Sequence, residues 1–215
     1  MATEASSEIV FDGNAGEIRV KSGVMRTRTV LNVEDSGDDL LMMQAACQTI
    51  KASFRCQAVT SGEQAMAYLS GEGPYADREQ FPLPDLVLLD LKMPRTSGFQ
   101  VLTWIRRQPA FRDLPVLVYS GSMQKDDMNQ AQKLGANEYL TKSGGLGYLL
   151  ELAKAINLAF AQEPPSLYPI QDFIARHPGY HIRPANPWLS CTFPKDVAAM
   201  QPPQGLRRSP EDLIH

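Results

Sequence analysis

The fold is decided by residues 84–94, which read PDLVLLDLKMP. Four consecutive apolar residues, Leu86–Leu89, run directly into Asp90. An unbroken apolar run of this kind predicts a strand buried on both faces, which is typical of a parallel sheet covered by helices on both sides. Asp90 then stands at the carboxyl end of that strand. In an open parallel sheet, this is the edge where ligands bind.

Three more predicted strands end in the same way, with polar residues directly after the strand. They are Thr29–Val33 with Glu34 and Asp35, Val116–Tyr119 with Ser120, and Glu138–Thr141 with Lys142. A fifth strand is predicted at Phe54–Val59. Because the carboxyl ends of parallel strands meet at one edge of the sheet, three carboxylates, one hydroxyl and one lysine should converge on a single spot.

Helix signals separate these strands, so that strand and helix alternate five times between residues 29 and 160. Two Ser/Gln pairs three residues apart, Ser61 with Gln64 and Ser97 with Gln100, form capping boxes that mark the starts of helices. Alternating strands and helices with short loops predict a parallel sheet with helices on both faces.

The composition excludes several classes of protein. A hydrophobic content of 43% and a charged content of 21% are typical of a soluble globular chain. The net charge of -3 gives no general attraction to nucleic acid, and no apolar run approaches the ~20 residues of a membrane helix. Cys47, Cys56 and Cys191 have no CxxC spacing, which argues against a zinc site or a disulfide framework. We expect a cytoplasmic protein whose partners include neither nucleic acid nor membrane.

The two ends of the chain differ from its middle. Residues 1–27 are expected to form a flexible N-terminal leader or a small hairpin. Residues 28–162 are expected to form one domain of ordinary size, in which the long connection Gly71–Asp85 is an exposed loop. Residues 163–215 contain ten of the sixteen prolines and show no lasting helical or strand period. We expect this segment to be a Pro-rich tail without an independent output domain.

The converging residues suit a phosphate site that also holds a divalent cation. Carboxylates held close together repel one another unless a cation lies between them. Mg²⁺ binds oxygen ligands, usually one or two carboxylates with waters and phosphate oxygens, and Asp90 with one or both of Glu34 and Asp35 meets this requirement. Lys142 can pair with Asp90 and later with its phosphate, and Ser120 can donate a hydrogen bond. Asp90 is the candidate nucleophile.

Five motifs occur in order along residues 28–160. They read VEDS at 33–36, PDLVLLDLKMP at 84–94, SG at 97–98, LPVLVYSG at 114–121 and GANEYLTK at 135–142. Together they resemble the receiver domain of two-component response regulators. The resemblance implies a flavodoxin-like (CheY-like) doubly wound α/β fold, whose five-stranded parallel sheet has the strand order 2-1-3-4-5. It also implies a phosphorylation-controlled signalling switch that is not an enzyme.

The resemblance assigns roles to the residues that match the family's motifs. Asp90 would be the phosphoacceptor, and Lys142 would pair with it and with the phosphoryl group. Asp35 would bind Mg²⁺ directly, while Glu34 would act directly or through water. The backbone carbonyl of Lys92 would complete the protein's share of the metal ligands.

The resemblance also implies a switch and reveals departures from the usual pattern. Ser120, which stands where threonine is more frequent, would move to hold the phosphoryl oxygens. Tyr139 occupies the position of the family's aromatic rotamer switch, although an aromatic side chain there is also consistent with plain packing. Ser143 replaces a common proline. Lys92 places a long basic side chain beside the acceptor, where it would shield the phosphoryl group from water, whereas the small Ser122 would leave the other side open.

The implied partners are proteins. The phosphoryl donor would be a sensor histidine kinase or a phosphotransfer protein, and the sequence is similar to stand-alone receivers that partner phytochrome-type kinases. Phosphorylation would bias a surface formed by the fourth helix, the fifth strand of the sheet and the fifth helix. That surface would bind a target or a second copy in a symmetric homodimer.

Two alternatives stand beside this interpretation. The first is a hydrolase or phosphatase that forms an aspartyl-phosphate, as haloacid-dehalogenase enzymes do. Those enzymes require a second acidic residue two positions after the nucleophile, where this chain has Lys92. The second is a receiver-like binding platform in which Asp90 is never phosphorylated. The intact acidic, hydroxyl and lysine positions argue against it.

Overall fold

The computed structural model describes residues 7–11, 18–22, 26–162 and 164–177. Near the start of the chain, β1 (Ser7–Phe11) and β2 (Ile18–Ser22) pair in antiparallel fashion. These strands correspond to the hairpin alternative for the leader. The turn that would join them lies outside the described residues.

A five-stranded parallel sheet forms the centre of the fold. Its strands are β3 (Thr29–Val33), β4 (Arg55–Val59), β5 (Leu86–Leu89), β6 (Val116–Ser120) and β7 (Glu138–Thr141). They lie in the order β4-β3-β5-β6-β7, and each neighbouring pair is parallel. Numbered within the sheet, this is the order 2-1-3-4-5, so the predicted fold class is confirmed.

Helices cover both faces of this sheet. They are α1 (Gly37–Thr49), α2 (Gly62–Ser70), α3 (Gly98–Arg107), α4 (Lys125–Lys133), α5 (Gly145–Ala161) and α6 (Tyr168–Arg176). Leu86 and Leu88 of β5 pack in the core cluster that includes α1, α5 and α6. Val87 and Leu89 pack in the opposite cluster, with α2, α3 and α4. The unbroken apolar run therefore reflects burial on both faces.

The capping signals place the helix starts correctly. At α2, the Ser61 hydroxyl accepts from the N–H of Gln64 at 3.2 Å, but the Gln64 side chain accepts from the N–H of Thr60 at 2.9 Å. At α3, the Gln100 side chain accepts from the N–H of Ser97 at 2.9 Å. These bonds satisfy backbone donors at the helix N-termini and fix the loops that leave the carboxyl edge of the sheet.

The segment after Gln162 corrects one expectation. No helical period was expected there, yet α6 forms and its Ile170, Phe173 and Ile174 are buried. The ring of Phe173 lies 4.9 Å from that of Tyr148 in α5. Proline is tolerated in the first turn of a helix, so Pro169 did not prevent helix formation. The packed structure therefore extends beyond the expected boundary, and residues 178–215 lie outside the described residues.

The long connection Gly71–Asp85 lies on the surface, as expected, and is also anchored. The Arg78 guanidinium donates to the carbonyls of Tyr68 and Phe81 at 2.8 and 3.1 Å. The ring of Tyr75 packs against those of Tyr68 and Phe81, at centroid distances of 5.3 and 5.2 Å. The loop is thus held against α2 by aromatic packing and hydrogen bonds.

The amino-terminal end of β5 holds a fully buried carboxylate, Asp85, with an exposed fraction of 0%. It accepts from Arg26 at 3.1 Å, from Arg28 at 2.9 Å and from the N–H of Thr29 at 2.8 Å. Both carboxylate oxygens are therefore satisfied by charged or backbone donors.

No helix in the described part of the chain has the length and apolar character needed to span a membrane.

Candidate functional site

Three carboxylates meet at the carboxyl edge of the sheet. Glu34 and Asp35 follow β3, and Asp90 follows β5. One oxygen from each lies within 4.8 Å of the others. Glu34 and Asp90 are 3% and 5% exposed, whereas Asp35 is exposed to solvent. The convergence that the strand-end pattern predicted is therefore present.

Backbone hydrogen bonds fix these carboxylates in place. The N–H of Asp90 donates to the carbonyl of Val33 at 2.9 Å, which extends the pairing of β5 with β3 by one residue. The Asp90 carboxylate accepts from the N–H of Leu91 at 2.8 Å. Glu34 accepts from the N–H of Ser36 at 3.1 Å. Each buried carboxylate thus has a backbone donor that limits its rotation.

Close backbone approach shapes the loop after Asp90. Gly98, the first residue of α3, donates its N–H to the carbonyl of Leu91 at 3.1 Å. A Cβ atom at Gly98 would lie only 2.0 Å from the carbonyl oxygen of Asp90. The helix can approach Asp90 this closely only because glycine has no side chain.

Lys142 lies among the carboxylates. Its ammonium is hydrogen-bonded to Glu34, lies 2.8 Å from Asp39, and is 3.7 Å from Asp90. Burial alone lowers the pKa of Lys142, but the bonds to Asp39 and Glu34 outweigh it and leave the pKa raised. Burial raises the pKa of Glu34 despite its bond to Lys142. Burial therefore disfavours the ionised form of Glu34.

The donor set fits a hard divalent cation. All three clustered groups offer carboxylate oxygens, the ligands that Mg²⁺ and Ca²⁺ prefer, and the exposed Asp35 gives access from solvent. Within the described part of the chain, Lys142 alone forms ion pairs with Glu34 and Asp90. A cation between Asp35, Asp90 and Glu34 would offset the remaining repulsion.

Ser120, at the end of β6, offers an unused donor. The residue is 0% exposed, and its hydroxyl has no hydrogen-bond partner among the described residues. A buried hydroxyl without a partner carries a desolvation cost, and a partner that arrives at the site removes that cost. Ser120 therefore has the chemistry needed to bind an incoming anion.

Tyr139 is buried in β7, and its ring packs in the core cluster that contains α4. Its hydroxyl donates to the carbonyl of Ser122 at 2.9 Å. Burial raises the pKa of Tyr139 to about 12, so the phenol stays protonated and able to donate at neutral pH. Packing is what the structure describes for this ring, and the switch role stays a prediction.

Lys92 does not point its charge at the carboxylates. Its ammonium lies 2.7 Å from Asp127 in the first turn of α4 and 5.9 Å from the centre of the Phe99 ring. The expected shielding of the acceptor by this side chain would require it to move. The predicted role of its backbone carbonyl as a metal ligand stays a prediction.

Sequence reasoning missed Asp39 and Asp127, which both contact predicted site residues. Each lies in the first turn of a helix that starts at the carboxyl edge of the sheet. The available signal was the spacing from Ser36, whose side chain accepts from the N–H of Asp39 at 3.3 Å. Asp39 and Asp127 each stand three residues after the N-cap of their helix, and each contacts a lysine that the sequence placed at the site.

Comparison with known proteins decides the family. The sequence profile of the response regulator receiver domain matches residues 30–154. The chain belongs to this family. The receiver is a signalling domain, so the family match favours the signalling interpretation over the hydrolase alternative. The chain is a two-component response regulator with a receiver domain.

The similar proteins include receivers linked to phytochromes. Response regulator Rcp1 of Synechocystis sp. is 35% identical over 129 residues, which cover 60% of this chain and 86% of Rcp1. A crystal structure of the phosphorylated cyanobacterial phytochrome response regulator RcpA is 34% identical, with a TM-score of 0.57, and the match covers 64% of this chain and 98% of RcpA. The Mn²⁺-bound form of Rcp1 is 33% identical, with a TM-score of 0.55 and coverage of 63% and 95%.

Proposed function

We propose that Asp90 accepts a phosphoryl group from the phosphohistidine of a sensor histidine kinase or a phosphotransfer protein. The observation that carries this proposal is the convergence of Glu34, Asp35 and Asp90 within 4.8 Å, beside Lys142. An Asp90 oxygen attacks phosphorus, the P–N bond breaks, and the histidine ring leaves as neutral imidazole after taking up a proton.

Mg²⁺ is the proposed metal. Asp35 and Asp90 bind it directly, Glu34 binds directly or through water, and the carbonyl of Lys92 completes the protein ligands. When bound, the metal neutralises phosphoryl oxygens during transfer. The acidic donor set supports a divalent cation of this type, as does the Mn²⁺ held by the similar Rcp1.

The proposed switch begins with Ser120 and Lys142. A phosphoryl group on Asp90 brings negative charge within reach of the Lys142 ammonium, which already lies 3.7 Å from Asp90. It also offers an acceptor to the unpartnered Ser120 hydroxyl. Movement of β6 toward the phosphoryl group changes the loop that holds Ser122, and with it the hydrogen bond from Tyr139. The surface of α4, β7 and α5 is the proposed output.

The surface around this site suits a protein as the phosphoryl donor. Leu41 of α1, Met123 before α4 and Leu146 of α5 are all large apolar residues exposed to solvent. They lie on elements that start at the carboxyl edge of the sheet, around the acidic centre. Apolar groups around a polar reactive centre fit docking of a partner helix pair. The similarity to phytochrome response regulators favours a phytochrome-type kinase as the donor, and we place this exchange in the cytoplasm.

A homodimer through α4, β7 and α5 also belongs to the proposal, with one modification. The structure packs α6 against α5 through Phe173 and Tyr148, and Gln171 donates to Glu138 of β7 at 3.2 Å. Part of this surface is therefore covered by the chain itself. A symmetric dimer on this side would include α6 in its interface.

Incubation with acetyl phosphate and Mg²⁺, followed by intact mass measurement, tests the proposed function. The protein should gain one phosphoryl group, and EDTA should prevent the gain. A wild-type protein that gains none under these conditions, or from a cognate kinase, would support the binding-platform alternative instead.

A further inference from the structure

Asp127 in α4 is a carboxylate with two partners near the site. The Lys92 ammonium lies 2.7 Å from it, and the Ser122 hydroxyl donates to the same carboxylate oxygen. Its side chain is only 12% exposed, whereas the neighbouring Asp126 is exposed to solvent. The bond with Lys92 lowers the pKa of Asp127 most, and the bond with Ser122 lowers it further. Asp127 is therefore ionised at neutral pH.

The two partners of Asp127 have equivalent places in the chain. Lys92 comes two residues after Asp90, and Ser122 comes two residues after Ser120. Each therefore stands where its strand has just left the carboxyl edge of the sheet. One α4 carboxylate thus holds the side chains of the residues two positions after Asp90 and two positions after Ser120.

We propose that Asp127 is a positioning residue that keeps the Lys92 ammonium away from Asp90 until a phosphoryl group competes for it. The inference rests on the proposed function of Asp90. Asp127 sets the lifetime of the phosphorylated state through Lys92. When Lys92 leaves Asp127, the first turn of α4 loses the positive charge that was paired with it.

The geometry makes this competition favourable. The Lys92 side chain is 53% exposed, so its ion pair with Asp127 is screened by water and weak. A phosphoryl group carries close to two negative charges and three acceptor oxygens, so it attracts the ammonium more strongly than one carboxylate does. The flexible lysine stem lets the charge move without a change in the backbone.

Loss of the ion pair between Lys92 and Asp127 can affect β7 as well as α4. Loss of the ammonium leaves Asp127 bonded to Ser122 alone. The carbonyl of Ser122 accepts from the Tyr139 hydroxyl at 2.9 Å, so the loop before α4 connects Asp127 with β7. A single charge movement at Lys92 therefore alters both α4 and the surroundings of Tyr139.

The test compares Asp127→Asn with Asp126→Asn, a matched control one residue earlier on the same helix turn. Each protein is phosphorylated with acetyl phosphate and Mg²⁺, the donor is removed, and the phosphorylated fraction is followed by intact mass. Asp127→Asn should lengthen the lifetime by about threefold, because Lys92 is then free to cover the phosphoryl group. Asp126→Asn should leave it unchanged.

The double variant Lys92→Met/Asp127→Asn shows whether the effect passes through Lys92. Lys92→Met keeps most of the stem without the charge and should shorten the lifetime. Adding Asp127→Asn to it should change nothing further. An equal lengthening by Asp127→Asn in both backgrounds, or no lengthening in either, overturns the proposal.

Hydrogen exchange in the unphosphorylated protein, without metal, gives an independent readout. Both Asp127→Asn and Lys92→Met should speed exchange of the amides of residues 122–130, and Asp126→Asn should not. If Asp127→Asn does not fold, hydrogen exchange in Lys92→Met still tests the proposal. Unchanged exchange in Lys92→Met overturns the positioning role. A wild-type protein that takes up no phosphoryl group overturns the proposed function and the lifetime claim together, whereas normal uptake with unchanged lifetimes overturns this inference alone.

Discussion

Strand β5 has an aspartate next to each of its ends, and the two have opposite surroundings. Asp85 precedes the strand, is fully buried, and is bound by Arg26, Arg28 and a backbone N–H. Asp90 follows the strand and is almost as buried, but it shares its site with other carboxylates and lies 3.7 Å from a lysine that is hydrogen-bonded elsewhere.

Burial alone therefore does not distinguish a structural carboxylate from the proposed phosphoacceptor. At Asp85 the positive charges equal or exceed the negative charge, so the group is stabilised and has nothing to gain from a ligand. At Asp90 negative charge is in excess, and a cation or a positively charged partner would relieve it. The balance of charge separates the two ends of the strand.

The largest expected effect is on phosphoryl uptake, which should depend on Asp90 and not on Asp85. Asp90→Asn should abolish uptake of the phosphoryl group, because an amide oxygen is a poor nucleophile and a weak metal ligand. Asp85→Asn should still accept one phosphoryl group wherever the protein is folded. Intact mass after acetyl phosphate treatment measures both. Phosphoryl uptake by Asp90→Asn would show that another residue is the acceptor.

The free energy of unfolding should depend on Asp85 and not on Asp90. Asp85→Asn leaves two arginines beside a buried position without their anion, and we expect the free energy of unfolding to fall by about 3 kcal/mol. Asp90→Asn removes one of several like charges, so it should not destabilise the metal-free protein. Urea unfolding without Mg²⁺ gives both values. Equal losses in the two variants would contradict the distinction drawn from charge balance.

Close packing at the reactive end should matter next. Gly98→Ala places a Cβ atom 2.0 Å from the carbonyl oxygen of Asp90, so the loop must shift, at a cost of about 2 kcal/mol and with slower phosphorylation. Gly37→Ala is the matched control, since Gly37 also starts a helix but has no atom within 4 Å of the added Cβ. It should be neutral or slightly stabilising. Identical unfolding curves for the two variants would rule out the steric constraint.

The smallest expected effect is a pH dependence confined to the reactive end. Burial raises the pKa of Glu34 above 4.5 in the folded protein. A raised folded pKa adds stability while the group is protonated, below 4.5, and that stability is lost as pH rises through the folded pKa. Relative to Glu34→Gln, the metal-free wild type should lose stability over this window. Thermal melts across pH measure the difference.

Mg²⁺ provides the control for that titration. Because the metal binds the ionised carboxylate, its presence should reverse the sign, so that the wild type gains stability relative to Glu34→Gln as pH rises. A difference between the two proteins that does not vary with pH, with or without metal, would mean that Glu34 titrates normally.

Much of this structure could be predicted from residues alone. The apolar runs and the polar residues that follow them determine the sheet and the meeting of Glu34, Asp35 and Asp90, because parallel strands bring their carboxyl ends to one edge. The buried Ser120 and the contact of Lys142 with Asp90 follow from the same rule.

Other features depend on helix phase and tertiary contact, which strand ends do not encode. Asp39 and Asp127 reach the site only because of the angle at which their helices leave the sheet. Helix α6 is short and follows two prolines. Its apolar residues can be recognised as a buried face only when α5 provides a surface for them to cover. The pairing of Arg26 with Asp85 joins residues 59 positions apart, which no local pattern shows.

The ion pairs at Asp85 also fix the register of β5 within the sheet. From Asp85 to Asp90 the chain advances by five residues, about 16 Å along an extended strand. Since neighbouring residues of a strand point to opposite faces, a slip of one position would place a leucine where Asp90 now stands. Arg26 and Arg28 oppose such a slip by fixing the far end of β5. Two arginines remote from the carboxylate cluster thus help to fix where the Asp90 oxygens lie.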